Sequence, residues 1–118
     1  MKKMILVCDD EEGVRESLKL ILEKDYDIHF AANGTEAIEG VGKISFQLLI
    51  LDIKMPKIDG IETLKRVKAI RPGIKTMISS GYKSVDIAKA ASDAGAEDYI
   101  VKPFDSAAVL SAVKRLIG

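Results

Sequence analysis

Short apolar runs alternate along this chain with segments of helical period, and this alternation restricts its fold more than any other feature. The β-rich apolar runs fall at residues 3–8, 27–31, 47–51, 75–79 and 98–101. The first and third are almost wholly apolar, which is typical of strands buried on both faces. Five strand–helix units in series therefore predict an α/β fold built on a parallel sheet.

The helical segments differ in how strongly they are marked. The first has a clear apolar stripe, and its charged residues, Arg15 among them, are predicted to face solvent. The third has a weaker stripe ending at Ile70, and the fourth, about residues 84–94, offers Val85 and mainly small side chains. We therefore expect a lightly packed fourth helix. The whole series predicts a five-stranded parallel doubly wound sheet of (βα)5 type, in the flavodoxin-like order 2-1-3-4-5.

Length and composition limit the classes of protein to consider. A chain of 118 residues predicts a single domain over residues 1–118, with no separate output module. Eighteen Lys and Arg balance eighteen Asp and Glu, so no direct binding of nucleic acid is expected. No stretch without a charged residue exceeds eight residues, which excludes a membrane span. The apolar run after Lys2 and Lys3 is too short for a signal peptide, so a cytoplasmic location is expected.

The sequence contains one cysteine, Cys8, and one histidine, His29. These exclude an internal disulfide and a Cys/His zinc site. Cys8 is predicted to be a buried apolar residue, and His29 a solvent-facing strand residue.

Charged and hydroxyl side chains follow the predicted strands at one end of the sheet. Asp9 and Asp10 follow the first strand, Asp52 the third, Ser80 the fourth and Lys102 the fifth. Strands one and three are neighbours in the predicted order, so the three aspartates should converge. Carboxylates so close together do not all stay ionised unaided. A hard divalent cation would resolve this conflict, and the oxygen-only ligands favour Mg²⁺, with Mn²⁺ as a substitute.

Asp52 is the best candidate for a nucleophile in this cluster. It ends the most apolar strand, so its position should be rigid. A carboxylate beside Mg²⁺, with an ammonium group nearby, is able to take a phosphoryl group and form an acyl phosphate. Lys102 would balance a carboxylate in the empty site and hold a phosphoryl oxygen in the filled one.

Three motifs in the chain resemble those of the response-regulator receiver domains of two-component signalling. LDIKMPKIDG (51–60) resembles the phosphoacceptor loop of that family, CDDE (8–11) its acidic pair, and YIVKPF (99–104) its lysine and the following proline. The resemblance covers the chain from Met4 to essentially its C-terminus.

This resemblance implies a role for each matching residue of the metal site. Asp52 would accept the phosphoryl group from a kinase histidine. Asp10 would bind Mg²⁺ directly and Asp9 partly through water, while Lys54 would add its backbone carbonyl as a ligand.

The resemblance also implies a switch. Ser80 would move its hydroxyl onto the phosphoryl group and the ring of Tyr99 would turn inward behind it, although the adjacent Ser79 leaves this choice to spacing alone. Lys102 would contact the phosphoryl oxygens, and its bond to Pro103 is expected to be cis.

The partners implied are a sensor histidine kinase or histidine phosphotransfer protein, and a downstream protein target or output domain. We expect the phosphodonor to dock on the first helix and the loop after Pro103, with Val14 and Phe104 as apolar anchors. Helix four, strand five and helix five would form the output surface. The chain would not be an enzyme in the usual sense, because it would catalyse only its own phosphorylation and dephosphorylation.

Other readings fit the sequence less well. A haloacid-dehalogenase-like phosphatase needs a second aspartate two residues after the first, where this chain has Lys54. A nucleotide or flavin site lacks a glycine-rich phosphate loop after the first strand. A binding module that keeps the receiver fold without being phosphorylated stays open, and the acidic set with Lys102 argues against it.

Overall fold

A computed structural model describes residues 1–53, 60–81 and 85–118, in which strands and helices alternate. The strands are β1 Lys3–Cys8, β2 Tyr26–Ala31, β3 Leu48–Asp52, β4 Lys75–Ser80 and β5 Asp98–Val101. The helices are α1 Glu12–Leu22, α2 Gly34–Lys43, α3 Gly60–Ile70, α4 Val85–Asp93 and α5 Ser106–Ile117. Every strand boundary lies within one residue of its predicted position.

The strands form one parallel sheet in the order β2-β1-β3-β4-β5, which confirms the predicted topology. All residues of the central strand β3 are buried. Cys8 pairs with Leu51, and Asp52 pairs with Ser79, so β1, β3 and β4 end at one level. This register brings their carboxyl ends to a common edge of the sheet.

Two apolar layers cover the two faces of the sheet. On one face, Leu49 and Leu51 of β3 pack with buried residues of α2, α3 and α4; we call this layer the α2–α4 face. On the other, Leu48 and Ile50 pack with buried residues of α1 and α5, and we call this the α1–α5 face. The alternation of side chains along β3 fills both layers, as a doubly wound sheet requires.

Side-chain caps mark the starts of α2 and α5. Asn33 Oδ1 accepts a hydrogen bond of 3.0 Å from the Glu36 amide at the start of α2. Asp105 Oδ2 accepts one of 3.3 Å from the Ala108 amide at the start of α5. Asparagine and aspartate are among the residues preferred at this position. The chain leaves α4 through Gly95, whose φ of 107° is open to glycine at little cost. Ser84, where the predicted range of the fourth helix begins, lies outside the described residues.

Two predicted apolar contacts are wrong. Ile70 is 43% exposed because α3 ends there, and the next residue, Arg71, turns back to donate a hydrogen bond of 2.8 Å to the Val41 carbonyl oxygen. Val85 is 85% exposed at the start of α4, whose one fully buried residue is Ala91. The light packing predicted for α4 is thus confirmed.

The predictions for the single cysteine and the single histidine differ in how well they agree with the structure. Cys8 is buried, as predicted. His29 is not simply solvent-facing, because its ring lies edge-on against that of Phe46, with the ring centroids 5.3 Å apart. In the described parts of the chain, no helix is both long and apolar enough to cross a membrane.

Candidate functional site

Three aspartates meet at the carboxyl edge of the sheet. Asp9 and Asp10 directly follow β1, and Asp52 is the last residue of β3 rather than the first residue after it. One carboxylate oxygen from each lies within 4.8 Å of the others. Asp9 and Asp52 are buried, whereas Asp10 is exposed. The structure therefore brings the predicted trio together, with Asp10 on the solvent side.

The donor set of this cluster fits a hard divalent cation. All three side chains offer carboxylate oxygens, and a small cation such as Mg²⁺ prefers a few carboxylates and retained waters to a closed protein cage. The fourth predicted ligand, the backbone carbonyl of Lys54, lies outside the described residues.

Lys102 is the counter-charge of the cluster. Its ammonium nitrogen lies 2.8 Å from Asp9 Oδ2 and 3.4 Å from Asp52 Oδ2. The main chain holds it there, because the Lys102 amide donates a hydrogen bond of 2.7 Å to the Ser80 carbonyl oxygen. The Lys102–Pro103 bond is cis, as expected. The side chain that follows β5 thus reaches the ends of β1 and β3, neither of which is a neighbour of β5 in the sheet.

The protonation of Lys102 follows from these contacts. Burial by itself lowers the pKa of the ammonium group, but the hydrogen bond to Asp9 and the negative charges of Asp52 and Asp9 act in the other direction. The net result is a pKa raised above its ordinary value. Lys102 is therefore positively charged at neutral pH.

The surroundings of Asp9 show a residue that the sequence analysis placed wrongly. Arg15 does not simply face solvent: it is half-buried, and its Nη1 donates a hydrogen bond of 2.7 Å to the Asp9 carbonyl oxygen. The Asp9 carboxylate accepts a further hydrogen bond of 2.9 Å from the Glu11 amide through Oδ1. Helical periodicity does not indicate that the side chain of Arg15 reaches back to the end of β1.

Ser80 and Tyr99 lie on the same face of the sheet. Ile78, which pairs with Tyr99, belongs to the α2–α4 face, and Tyr99 packs against that layer. Side chains of a strand alternate, so Ser80, two residues after Ile78, points to the α2–α4 face and Ser79 to the opposite one. Ser80 is buried and Tyr99 half-buried. The alternation favours Ser80 over its neighbour as a partner for Tyr99.

Gly60 has a packing reason that the sequence motif did not reveal. A Cβ atom built on Gly60 would lie 2.6 Å from the carbonyl oxygen of Ile53 and 2.7 Å from its Cα. Real side chains do not come so close to a backbone. The first residue of α3 therefore has to be glycine for the helix to sit against the residue that follows Asp52.

A groove opens beside the acidic cluster, between α1 and the loop that leads into α5. It has a volume of about 850 Å³ and is lined by Val14, Leu20 and Phe104, among others. The expected anchors Val14 and Phe104 are both half-buried in its wall. Lys102 also lines the groove, which places it next to the carboxylates.

The chain matches the family model described as "Response regulator receiver domain" over residues 5–114. It is 37% identical over 118 residues to sporulation initiation phosphotransferase F of Bacillus subtilis, covering 99% of this chain and 95% of that protein. It is 42% identical over 102 residues to the transcriptional regulatory protein ZraR of Klebsiella oxytoca, covering 86% of this chain and 23% of ZraR.

Solved structures agree with this match. A receiver domain protein described as CheY-like from Methanospirillum hungatei superimposes with a TM-score of 0.93 at 34% identity, over 98% of this chain and 93% of that one. A response regulator from Burkholderia pseudomallei, solved with a phosphorylated aspartic acid and a calcium ion, gives a TM-score of 0.87 at 28% identity, over 94% of this chain and 66% of the other.

These comparisons bear on two of the expectations drawn from the sequence. ZraR is named as a transcriptional regulator. The relatives of this chain therefore do not support the expectation that nucleic acid is not among its direct partners. The family match, the sheet order and the acidic cluster agree with one another. The chain belongs to the response regulator receiver domain family, the phosphoacceptor domain of two-component signalling.

Proposed function

We propose that this chain is a phosphorylation switch in which Asp52 is the phosphoacceptor. The donor is a histidine of a sensor histidine kinase or a histidine phosphotransfer protein, and the reaction depends on Mg²⁺. Phosphorylation then changes binding to a downstream protein target or output domain. We further propose that residues 1–118 act as one receiver unit. The observation that carries this proposal is the position of Lys102, 3.4 Å from Asp52 and 2.8 Å from Asp9.

The chemistry is a transfer between two side chains. An Asp52 carboxylate oxygen forms a bond to phosphorus while the phosphorus–nitrogen bond to the donor imidazole breaks, and the imidazole leaves with the electron pair. Asp9, Asp10 and Asp52, with the Lys54 carbonyl by resemblance, would hold Mg²⁺, which would neutralise charge on the phosphoryl oxygens. Lys102 exchanges part of its contact with the carboxylates for a phosphoryl oxygen.

Two relatives support this assignment. The Bacillus subtilis protein is named a phosphotransferase, and this chain spans 95% of its length. The Burkholderia pseudomallei structure contains a phosphorylated aspartic acid together with a divalent cation. The first name agrees with transfer of a phosphoryl group, and the second structure agrees with an aspartate as its acceptor.

Ser80 and Tyr99 are proposed as the switch pair. Their common position on the α2–α4 face supports a coupled movement, in which the hydroxyl moves to the phosphoryl group and the ring follows. The variant Ser80→Ala should still be phosphorylated but should lose the change in the NMR signals of the Tyr99 ring on phosphorylation. Ser79→Ala, on the opposite face, is the matched control and should keep that change. The reverse result would move the switch to Ser79.

The phosphodonor is proposed to bind the groove lined by Val14 and Phe104. Its histidine has to reach Asp52, so the donor surface has to lie beside the acidic cluster, and the groove shares Lys102 with that cluster. A donor helix with an apolar stripe fits this mixed wall. Val14→Glu should slow transfer from a kinase or phosphotransfer protein about 10-fold or more without slowing labelling by acetyl phosphate. Val85→Glu, on the exposed start of α4, is the control, and equal slowing by both would remove the groove from the proposal.

Intact-mass spectrometry after incubation with acetyl phosphate and Mg²⁺ tests the phosphoacceptor directly. We expect one hydroxylamine-labile phosphoryl adduct that is lost in Asp52→Asn and in metal-free buffer. Asp27→Asn, an exposed aspartate on β2, should be labelled like the natural sequence. An adduct that survives Asp52→Asn would put the acceptor elsewhere. No adduct with acetyl phosphate or with a panel of kinases would leave a receiver-shaped binding module.

A further inference from the structure

Both backbone polar groups of Asp9, the amide and the carbonyl, make hydrogen bonds. Its amide donates a hydrogen bond of 3.1 Å to the Ala31 carbonyl oxygen at the end of β2, and its own carbonyl oxygen accepts the 2.7 Å hydrogen bond from Arg15. The guanidinium carbon of Arg15 also lies 5.9 Å from the ring centroid of Phe30. The end of β2 therefore both pairs with Asp9 and supports the side chain that binds its carbonyl.

This arrangement bears on Asp10 through the geometry of the peptide bond. The Asp9 carbonyl and the Asp10 amide belong to one planar unit, so fixing the carbonyl fixes the direction in which the chain continues to Asp10. Asp10 is exposed, so it is not held in place by surrounding packing. The hydrogen bond from Arg15 acts immediately before this residue.

We propose that Arg15 is a positioning residue for the divalent cation site, holding the peptide that joins Asp9 to Asp10 while Phe30 supports its guanidinium plane. This inference rests on the proposed Mg²⁺ site. A planar guanidinium is able to donate to a carbonyl and lie against an aromatic ring at the same time, whereas the ammonium group of a lysine is a point charge on a flexible stem. The role therefore calls for arginine specifically.

The sign of the effect on Mg²⁺ binding separates positioning from simple charge. Arg15 is a cation near a cation site, so its charge alone opposes Mg²⁺, and removing the charge should tighten binding. If Arg15 positions the ligands, its removal should weaken binding instead. The two roles thus predict changes in opposite directions.

Isothermal titration with Mg²⁺ alone measures this sign. We expect Arg15→Met and Arg15→Lys to weaken Mg²⁺ binding about 3- to 10-fold, at or below the lower limit of the range for residues that orient metal ligands. Phe30→Leu should weaken it less. Lys19→Met, an exposed cation one turn further along α1, is the matched control and should bind Mg²⁺ within about twofold of the natural chain. Tighter or unchanged binding by Arg15→Met, or natural affinity in Arg15→Lys, would overturn the proposal.

A second measurement needs no metal. The Glu11 amide donates to Asp9 Oδ1, so its hydrogen exchange reports how firmly Asp9 is held. In metal-free protein, exchange at Glu11 should be faster in both Arg15 variants and unchanged in Lys19→Met. Unchanged exchange in the Arg15 variants would refute the positioning role whatever the metal does. Failure of the natural chain to bind Mg²⁺ would instead refute the proposed function, while exchange would still decide whether Arg15 holds Asp9.

Discussion

Lys102 donates a hydrogen bond of 2.8 Å to Asp9 Oδ2 across 93 positions of the sequence. The same ammonium group lies 3.4 Å from Asp52 Oδ2, so one cation is shared by a proposed metal ligand and the proposed phosphoacceptor. A bound Mg²⁺ and a bound phosphoryl group would both change this sharing. Removing the Lys102 charge should therefore have opposite effects on the affinity for Mg²⁺ and on the rate of phosphorylation.

Lys102→Met should bind Mg²⁺ several-fold more tightly, because a cation that competes for Asp9 and Asp52 is gone. Its labelling by acetyl phosphate should be slower, by about 100-fold, because a group that stabilises the developing phosphoryl charge is gone as well. Titration calorimetry and intact-mass time courses measure the two effects. A variant that binds Mg²⁺ more weakly, or is labelled at the natural rate, would contradict this role.

Gly60→Ala should destabilise the fold by about 1–3 kcal/mol, the usual cost of forcing an extra carbon into a packed region. The added Cβ would meet the backbone of Ile53 at 2.6 Å, and a backbone cannot move aside as a flexible side chain can. Gly42→Ala is the control, since a Cβ there meets nothing within 4 Å. It should be neutral or stabilising by about 0.5 kcal/mol. Urea unfolding of both variants checks the difference, and equal stability would show that α3 shifts without cost.

Glu97 gives stability a dependence on acid pH. Burial by itself raises the pKa of its carboxyl group, but hydrogen bonds from Lys68 and from the Thr76 amide and hydroxyl, with the charge of Lys68, lower it below its ordinary 4.5. The unfolded chain thus binds the proton more readily than the folded one. The stabilisation is fully present above pH 4.5 and is lost as the pH falls through the lower folded pKa.

Glu97 is exposed enough for solvent to screen its pairing, so Glu97→Gln should cost about 1 kcal/mol of unfolding free energy at pH 7. This difference should shrink as the pH is taken below 4.5. Glu62→Gln is the control, because its carboxylate pairs with Arg66 at 3.9 Å on the exposed surface. It should cost no more than about 0.5 kcal/mol at any pH. A constant difference between Glu97→Gln and the natural chain across this range would contradict the assigned pKa shift.

Two buried threonines make a pair of opposite predictions. The Thr63 hydroxyl is buried with no hydrogen-bond partner among the residues that the structure describes, whereas the Thr76 hydroxyl lies 3.0 Å from Glu97 Oε1. Thr63→Val should stabilise the protein by about 1 kcal/mol, and Thr76→Val should destabilise it by a similar amount. Thermal unfolding compares them directly. A loss of stability in Thr63→Val would show that its hydroxyl is bonded.

The strands and the acidic cluster could be predicted from the sequence for the same reason. Strands buried on both faces are continuous apolar runs, so β1 and β3 have clear ends. The residues at those ends, Asp9, Asp10 and Asp52, then converge through the sheet order alone. Lys102 follows by the same logic from the end of β5.

The supporting contacts could not be predicted in this way. Arg15 stands among the charged residues of an amphipathic helix, where a solvent-facing position is the rule, and its partner is a backbone carbonyl with no signature in the sequence. Lys68 and Glu97 are 29 positions apart, and nothing in the composition links them. The predicted apolar contacts of Ile70 and Val85 are wrong for a related reason, because periodicity does not show where a helix leaves the core.

Thr76 and Glu97 fix the alignment of β4 with β5 at the edge of the sheet opposite the acidic cluster. The Thr76 amide donates a hydrogen bond of 2.7 Å to Glu97 Oε1, and the Glu97 amide donates one of 2.9 Å to the Thr76 carbonyl oxygen. Sliding one strand along the other by a pleat would break both bonds together. Ser80 and Tyr99 are thus held in fixed register, and the proposed rearrangement at their end of the strands should take place by rotation of side chains rather than by slippage of the sheet.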